Sequence, residues 1–122
     1  MPKILIADDQ PDLREMIRLS LSLSGYHVLT APDGHVALEV AAGFGPDLII
    51  VDARMPGPSG PALCARLHDL AATHGAPILL ISGMADCAEI QAALEAGARE
   101  YLRKPFELNH LLDRVDALLH QA

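Results

Sequence analysis

Aromatic residues are nearly missing from this sequence: Tyr26, Phe44, Tyr101 and Phe106 are the whole set. Four scattered rings are too few for a platform on which nucleic-acid bases could stack. Basic residues are also scarce, nine against sixteen acidic ones, giving a net charge of −7. Binding to a phosphate backbone depends on Lys and Arg, so no direct nucleic-acid partner is expected. Long hydrophobic runs are absent; a membrane-spanning helix needs about 20 consecutive apolar residues, and the longest runs here are of strand length. The N-terminus lacks the basic-then-apolar layout of a secretory leader. A cytoplasmic location with no membrane partner is therefore expected. Cys64 and Cys87 are too far apart for a CxxC motif and read as small hydrophobes in a reducing compartment. The histidines show no metal-ligand spacing. Neither GxxxxGK[ST] nor GxGxxG occurs, which argues against a bound nucleotide.

What is present is a strong apolar pattern. Hydrophobic residues make up 51% of 122 residues, enough for one domain, 1–122, with a sizeable core. Five short runs read as strands: 3–7, 26–31, 47–51, 76–82 and 99–103. Several are continuously apolar, as suits strands buried on both faces of a parallel sheet. Between them the spacing predicts helices over 11–24, 33–43, 59–73, 86–96 and 106–120. Pro11 stands near the start of the first and Gly25 just after its end. That helix places Leu13, Met16, Ile17 and Leu21 on its inner face. Five βα units in succession indicate an open α/β sheet with helices on both sides.

Ligands of such sheets bind beyond the carboxyl ends of the strands. The polar residues at those ends are Asp8 and Asp9, Asp52, Ser82 and Lys104. Each alone could be a strand end meeting solvent; five together suggest a site. Clustered carboxylates require a cation, or a proton held by one of them. Oxygen donors without nearby Cys or His suit a hard ion, Mg²⁺ (or Mn²⁺), rather than zinc. An acid cluster, a lysine and a serine hydroxyl then describe a place for a phosphoryl group. Asp52, alone at the end of the central apolar strand, is the candidate nucleophile for an aspartyl phosphate.

The tracts ILIADD, GYHVLTAPDGHVALE, DLIIVDARMPGPSG, PILLISG and ALEAGAREYLRKPF, in this order, resemble the response-regulator receiver domains of bacterial two-component signalling. The resemblance implies a flavodoxin-like α/β fold with strand order 2-1-3-4-5 and five helices. It implies that Asp9, Asp52 and the backbone carbonyl of Arg54 ligate Mg²⁺, with Asp8 acting through water. Asp52 would accept the phosphoryl group from a phosphohistidine on a sensor histidine kinase or phosphotransfer protein. Lys104 and Ser82 would bind the phosphoryl oxygens, and Tyr101 would swing inward with Ser82. The Lys104–Pro105 peptide would be cis. A downstream protein would read the face formed by the fourth helix, fifth strand and fifth helix. The chemistry would be limited to self-phosphorylation and self-dephosphorylation, without turnover of a metabolite. Arg54 and Met84 are a cation and an apolar residue where the family often has polar ones, and they bear on the lifetime of the phosphorylated state. Three other readings fit less well. A pseudo-receiver would not need Asp9, Asp52, Ser82 and Lys104 together. An Mg²⁺-dependent aspartyl-phosphate phosphatase would need a cap or substrate pocket. A flavin-binding protein would need a hydroxyl-rich loop after the first strand.

Overall fold

The apolar runs become the strands of one sheet: β1 Lys3–Ala7, β2 His27–Ala31, β3 Leu48–Asp52, β4 Ile78–Ser82 and β5 Glu100–Arg103. The helices alternate with them: α1 Pro11–Leu23, α2 Gly34–Phe44, α3 Gly60–Asp69, α4 Cys87–Ala96 and α5 Leu108–Leu119. These assignments come from a computed structural model, which describes residues 1–70, 75–83 and 87–120. All strand pairs are parallel and the order is β2-β1-β3-β4-β5, the order expected from the sequence.

β3 and β4 are buried along their whole length, which is why they read as unbroken apolar runs. Because side chains alternate across a strand, the sheet divides the core in two. Leu5, Ile49, Val51 and Leu80 face Ala37, Leu63 and Ala93 of α2, α3 and α4. Ile4, Ile6, Ile50 and Ile81 face Ile17 and Leu21 of α1 and Leu111 and Val115 of α5. Each fully buried Leu or Ile contributes roughly 1.5–3 kcal/mol. The outer strands differ. β2 alternates exposed and partly buried residues up to Ala31. β5 has only four residues, and its Glu100 is held by the Arg114 guanidinium of α5 through two hydrogen bonds of 2.8 and 2.6 Å.

Local chemistry sets the helix ends. Asp33 caps α2 by accepting the Val36 N–H at 2.9 Å, and Gly45 closes it in the left-handed conformation. α1 opens on Pro11 and α5 follows Glu107, whose backbone is extended, so α5 begins two residues later than the pattern suggested. α3 is shorter than predicted: Leu70 is extended and ends it at Asp69. The rest of that predicted helix, 71–73, and residue 86 of the predicted fourth helix lie outside the described residues. Two burial expectations are corrected. Met16 is 42% exposed, because Ile17 and Leu21 form the inner line of α1 and Met16 lies on its flank. Cys64 is buried, but Cys87, at the start of α4, is exposed.

The first turn of α2 presses on the loop that follows β3. The Gly34 N–H donates to the Pro56 carbonyl at 3.2 Å, and a Cβ on Gly34 would stand 1.8 Å from the Pro58 carbonyl oxygen. Gly43, in the last turn of the same helix, has open space where its Cβ would be. Gly34→Ala should therefore destabilise the protein by roughly 1–3 kcal/mol, through overpacking against backbone. Gly43→Ala should stabilise it by about 0.5–1 kcal/mol, the gain of Ala over Gly in a helix. Urea unfolding of both variants checks the pair; shifts of the same sign would contradict this packing.

Candidate phosphoryl and metal site

Strand register carries the distant polar residues to one edge. Ala7 pairs with Val51, so Asp8 emerges beside Asp52. Asp52 in turn pairs with Ile81, and Ser82 with Arg103, which brings Ser82 and Lys104 to the same end. The sheet order changes direction between β1 and β3, and a cleft of about 360 Å³ opens there, lined by Asp9, Gln10, Asp52, Arg54, Ser82 and Lys104. A larger recess, about 560 Å³, lies at the opposite end of the sheet beside Pro2, Asp47 and Pro77. Its carboxylate, Asp47, is engaged with the Lys3 N–H at 2.7 Å, and no acid cluster lies there among the described residues.

Carboxylate oxygens of Asp8, Asp9 and Asp52 lie within 4.8 Å of one another. Asp8 and Asp52 are buried, whereas Asp9 is exposed at the mouth. The Lys104 ammonium stands 3.1 Å from Asp52 Oδ2 and 3.9 Å from Asp8 Oδ2. Asp52 Oδ1 accepts the Arg54 N–H at 3.2 Å, and Asp8 Oδ1 accepts the Gln10 N–H at 2.9 Å. The other oxygen of Asp8, Oδ2, is buried without a hydrogen bond. Burial pushes the Asp8 carboxyl up to about 6. The Gln10 N–H works against that rise, the nearby Asp52 adds to it, and the Lys104 charge partly offsets it.

A buried carboxylate oxygen without a hydrogen bond is costly, and one ammonium does not balance three carboxylates. Convergent oxygen donors with no sulfur or imidazole among them fit a hard divalent cation. Asp8, Asp9 and Asp52 are the side chains that would hold it.

The other expected residues are placed as follows. Ser82 is 2% exposed at the end of β4, and its carbonyl accepts the Lys104 N–H at 2.8 Å. The Lys104–Pro105 peptide is cis. Arg54 is exposed on the rim of the cleft. Tyr101 is 45% exposed on β5 and does not line the cleft. Met84 lies outside the described residues. Two neighbours were not singled out from the sequence. Gln10 lines the cleft and contacts Lys104, and Arg14 Nη1 donates to the Asp8 carbonyl at 2.9 Å. The adjacency of Gln10 to the acid pair was the available signal; nothing in the sequence distinguished Arg14 from a surface cation.

A carboxyl whose pKa is raised by folding contributes fully below its ordinary value of 3.8, and that contribution is lost as pH rises through about 6. Asp8 thus destabilises the metal-free fold above pH 6. Asp8→Asn, which keeps an acceptor for the Gln10 N–H, should stabilise metal-free protein at pH 7.5 by roughly 1–3 kcal/mol. The advantage should fall away as pH drops through about 6 and vanish well below 3.8, where the Asp8 carboxyl is neutral in the folded and unfolded chain alike. Urea unfolding at pH 7.5 and in acid, both in EDTA, tests this; no gain at pH 7.5, or one that persists in acid, overturns it.

Comparison with known proteins agrees with this geometry. Residues 4–116 match the family model of the response regulator receiver domain. Response regulator MprA of Mycolicibacterium vanbaalenii is 40% identical over 98% of this chain and 51% of its own length. The DNA-binding dual master transcriptional regulator RpaA of Synechocystis is 35% identical over 99% of this chain and 50% of its own. The chain therefore spans about half the length of these curated relatives. The expectation of no nucleic-acid partner accordingly reaches no further than these 122 residues. Among solved structures, the receiver domain of the Pseudomonas aeruginosa sensor histidine kinase PA1611, which has a magnesium ion coordinated in its active-site cleft, superposes with a TM-score of 0.88. It is 26% identical, with 98% of each chain covered. No helix among the described residues is long and apolar enough to cross a membrane. The chain belongs to the response regulator receiver domain family, the phosphoryl-accepting switches of two-component signalling.

Proposed function

We propose that Asp52 is the phosphoryl acceptor and that Asp9, Asp52 and the Arg54 backbone carbonyl hold Mg²⁺ beside it, with Asp8 acting through water. The observation that carries this reading is the setting of the Asp52 carboxylate. It is buried at mid-sheet, with one oxygen on the Arg54 N–H and the other on the Lys104 ammonium, beside the Asp8 oxygen that has no hydrogen bond. The partner supplying the phosphoryl group is a sensor-kinase or phosphotransfer phosphohistidine. In the transfer, the P–N bond breaks with its electron pair returning to the imidazole, and a P–O bond forms to a carboxylate oxygen of Asp52. When bound, Mg²⁺ supplies charge neutralisation between the acids and the phosphoryl oxygens.

The chain's own groups do the remainder. Lys104 faces Asp52 before transfer; once the carboxylate charge has moved outward into the phosphoryl group, the ammonium follows it. Ser82, at the same depth on β4, closes on a phosphoryl oxygen through its hydroxyl. Tyr101 follows that movement inward, changing the surface of α4, β5 and α5 that a downstream protein reads.

Acetyl phosphate with Mg²⁺ should add one phosphoryl mass to the protein, and peptide mapping should place it on Asp52. Asp52→Asn and Asp9→Ala should each abolish the addition and weaken Mg²⁺ binding by more than about tenfold, as loss of a ligand charge requires. A phosphoryl group on Ser82 or Asp8, or unchanged Mg²⁺ affinity in either variant, refutes the assignment.

Arg54 bears on how long the signal lasts. Hydrolysis needs a water in line with the breaking bond, and the exposed Arg54 side chain stands on the rim of the cleft. Its guanidinium could stabilise the departing charge or obstruct the water. Lys104 and Mg²⁺ already provide charge, so one more cation adds little, whereas misplacement of an in-line group costs about 100-fold. Obstruction wins. Arg54→Asn should shorten the phosphoryl lifetime severalfold, up to about 100-fold, with Mg²⁺ affinity retained. The time course of phosphate release decides; equal or slower decay removes the shield. A contribution from Met84 is expected from sequence alone.

A further inference from the structure

Lys104 has a second acceptor in the cleft besides the carboxylates. A residue immediately before a helix commonly uses its side chain to cap the free N–H groups of the first turn, but Gln10 makes no such cap. Its backbone is already committed, the N–H to Asp8 Oδ1 and the carbonyl to the Arg14 N–H, each at 2.9 Å. The side chain reaches into the cleft instead, where its Oε1 accepts from Lys104 Nζ at 3.3 Å. The ammonium is therefore suspended between an amide oxygen and Asp52 Oδ2.

Lysine is a compact charge on a flexible four-carbon stem. Asp52 Oδ2 is the carboxylate oxygen at hydrogen-bond distance, and Asp8 Oδ2 stands farther off at 3.9 Å, so without another acceptor the ammonium can swivel about the Asp52 contact. A second acceptor fixes its direction. A neutral amide does so without adding a fourth negative charge to a cleft that must admit an anionic group. It is also a weaker acceptor than a carboxylate, so phosphoryl oxygens can displace it. We propose that Gln10 is a positioning residue for phosphoryl transfer: its amide oxygen holds the Lys104 ammonium over the acceptor before the phosphoryl oxygens arrive. This rests on Asp52 being the acceptor.

Gln10→Met keeps the length of the side chain and removes the acceptor. Phosphorylation by acetyl phosphate, in which the P–O bond to acetate breaks and the bond to Asp52 forms, is timed by intact mass at saturating Mg²⁺. Parent, Gln10→Met, Lys104→Met and the double variant are compared. Gln10→Met should slow the parent about three- to tenfold, the equivalent of one hydrogen bond. In the Lys104→Met background it should change nothing, because residues acting through one another are not additive. Mg²⁺ affinity should stay within about twofold of the parent. In metal-free protein, an N-hydroxysuccinimide ester should label Lys104 about threefold faster in Gln10→Met, for the same lost bond. Equal slowing in both backgrounds, unchanged labelling, or a parental rate overturns the inference. A parent that takes up no phosphoryl group, or takes it elsewhere, overturns the acceptor assignment and this inference with it. That failure is visible without any change at position 10.

Discussion

The enforced approach of Asp8 to Asp52 is the constraint on which the cleft depends. Pairing of β1 with β3 sets it, and both strands are locked by apolar packing on two faces. Two buried carboxylates this close repel, and the sheet cannot relax to separate them without giving up core contacts. The fold therefore carries a standing electrostatic cost, which Lys104 and the Gln10 and Arg54 N–H groups act to reduce and which a divalent ion would reduce further. A site held in this way favours whatever brings positive charge or removes negative charge. A phosphoryl group joined to a carboxylate of such a cluster would change that balance directly, which is how a small chemical event would gain leverage over a rigid scaffold.

Much of the architecture was legible in the sequence because its signals are physical and local. Continuous apolar runs marked strands buried on both faces, and Pro11 and Gly25 marked the limits of α1. The interior of α1 was less legible: Leu13, Met16, Ile17 and Leu21 share an apolar stripe, but the stripe is wider than the surface it packs against. Met16 falls outside that contact. The end of α3 was missed because Leu70, an ordinary helix former, turns extended there.

The polar edge was legible for a different reason. In a parallel α/β sheet, a residue just past the end of a strand can point only to one rim, so Asp8, Asp52, Ser82 and Lys104 could be gathered without knowing any distance. The partners of those residues could not. Whether Gln10 caps α1 or turns to Lys104 depends on side-chain direction, and the sequence does not encode that separately from the fold. The same holds for Arg14, whose guanidinium bonds a backbone carbonyl and so leaves no pattern of complementary side chains to find.

The open edges of the sheet have a consequence for solubility. An open sheet ends in two rows of unpaired backbone groups, each a template for another chain's strand. On β5 the template is only four residues long, and it carries Glu100 clamped by Arg114 and an exposed Arg103. Any strand that docked there would have to lie against fixed charge. β2 has no ion pair among the described residues and exposes His27 and Leu29. Intermolecular strand addition, the first step toward fibrillar aggregates, is thus discouraged at one margin and left to the brevity of the strand at the other.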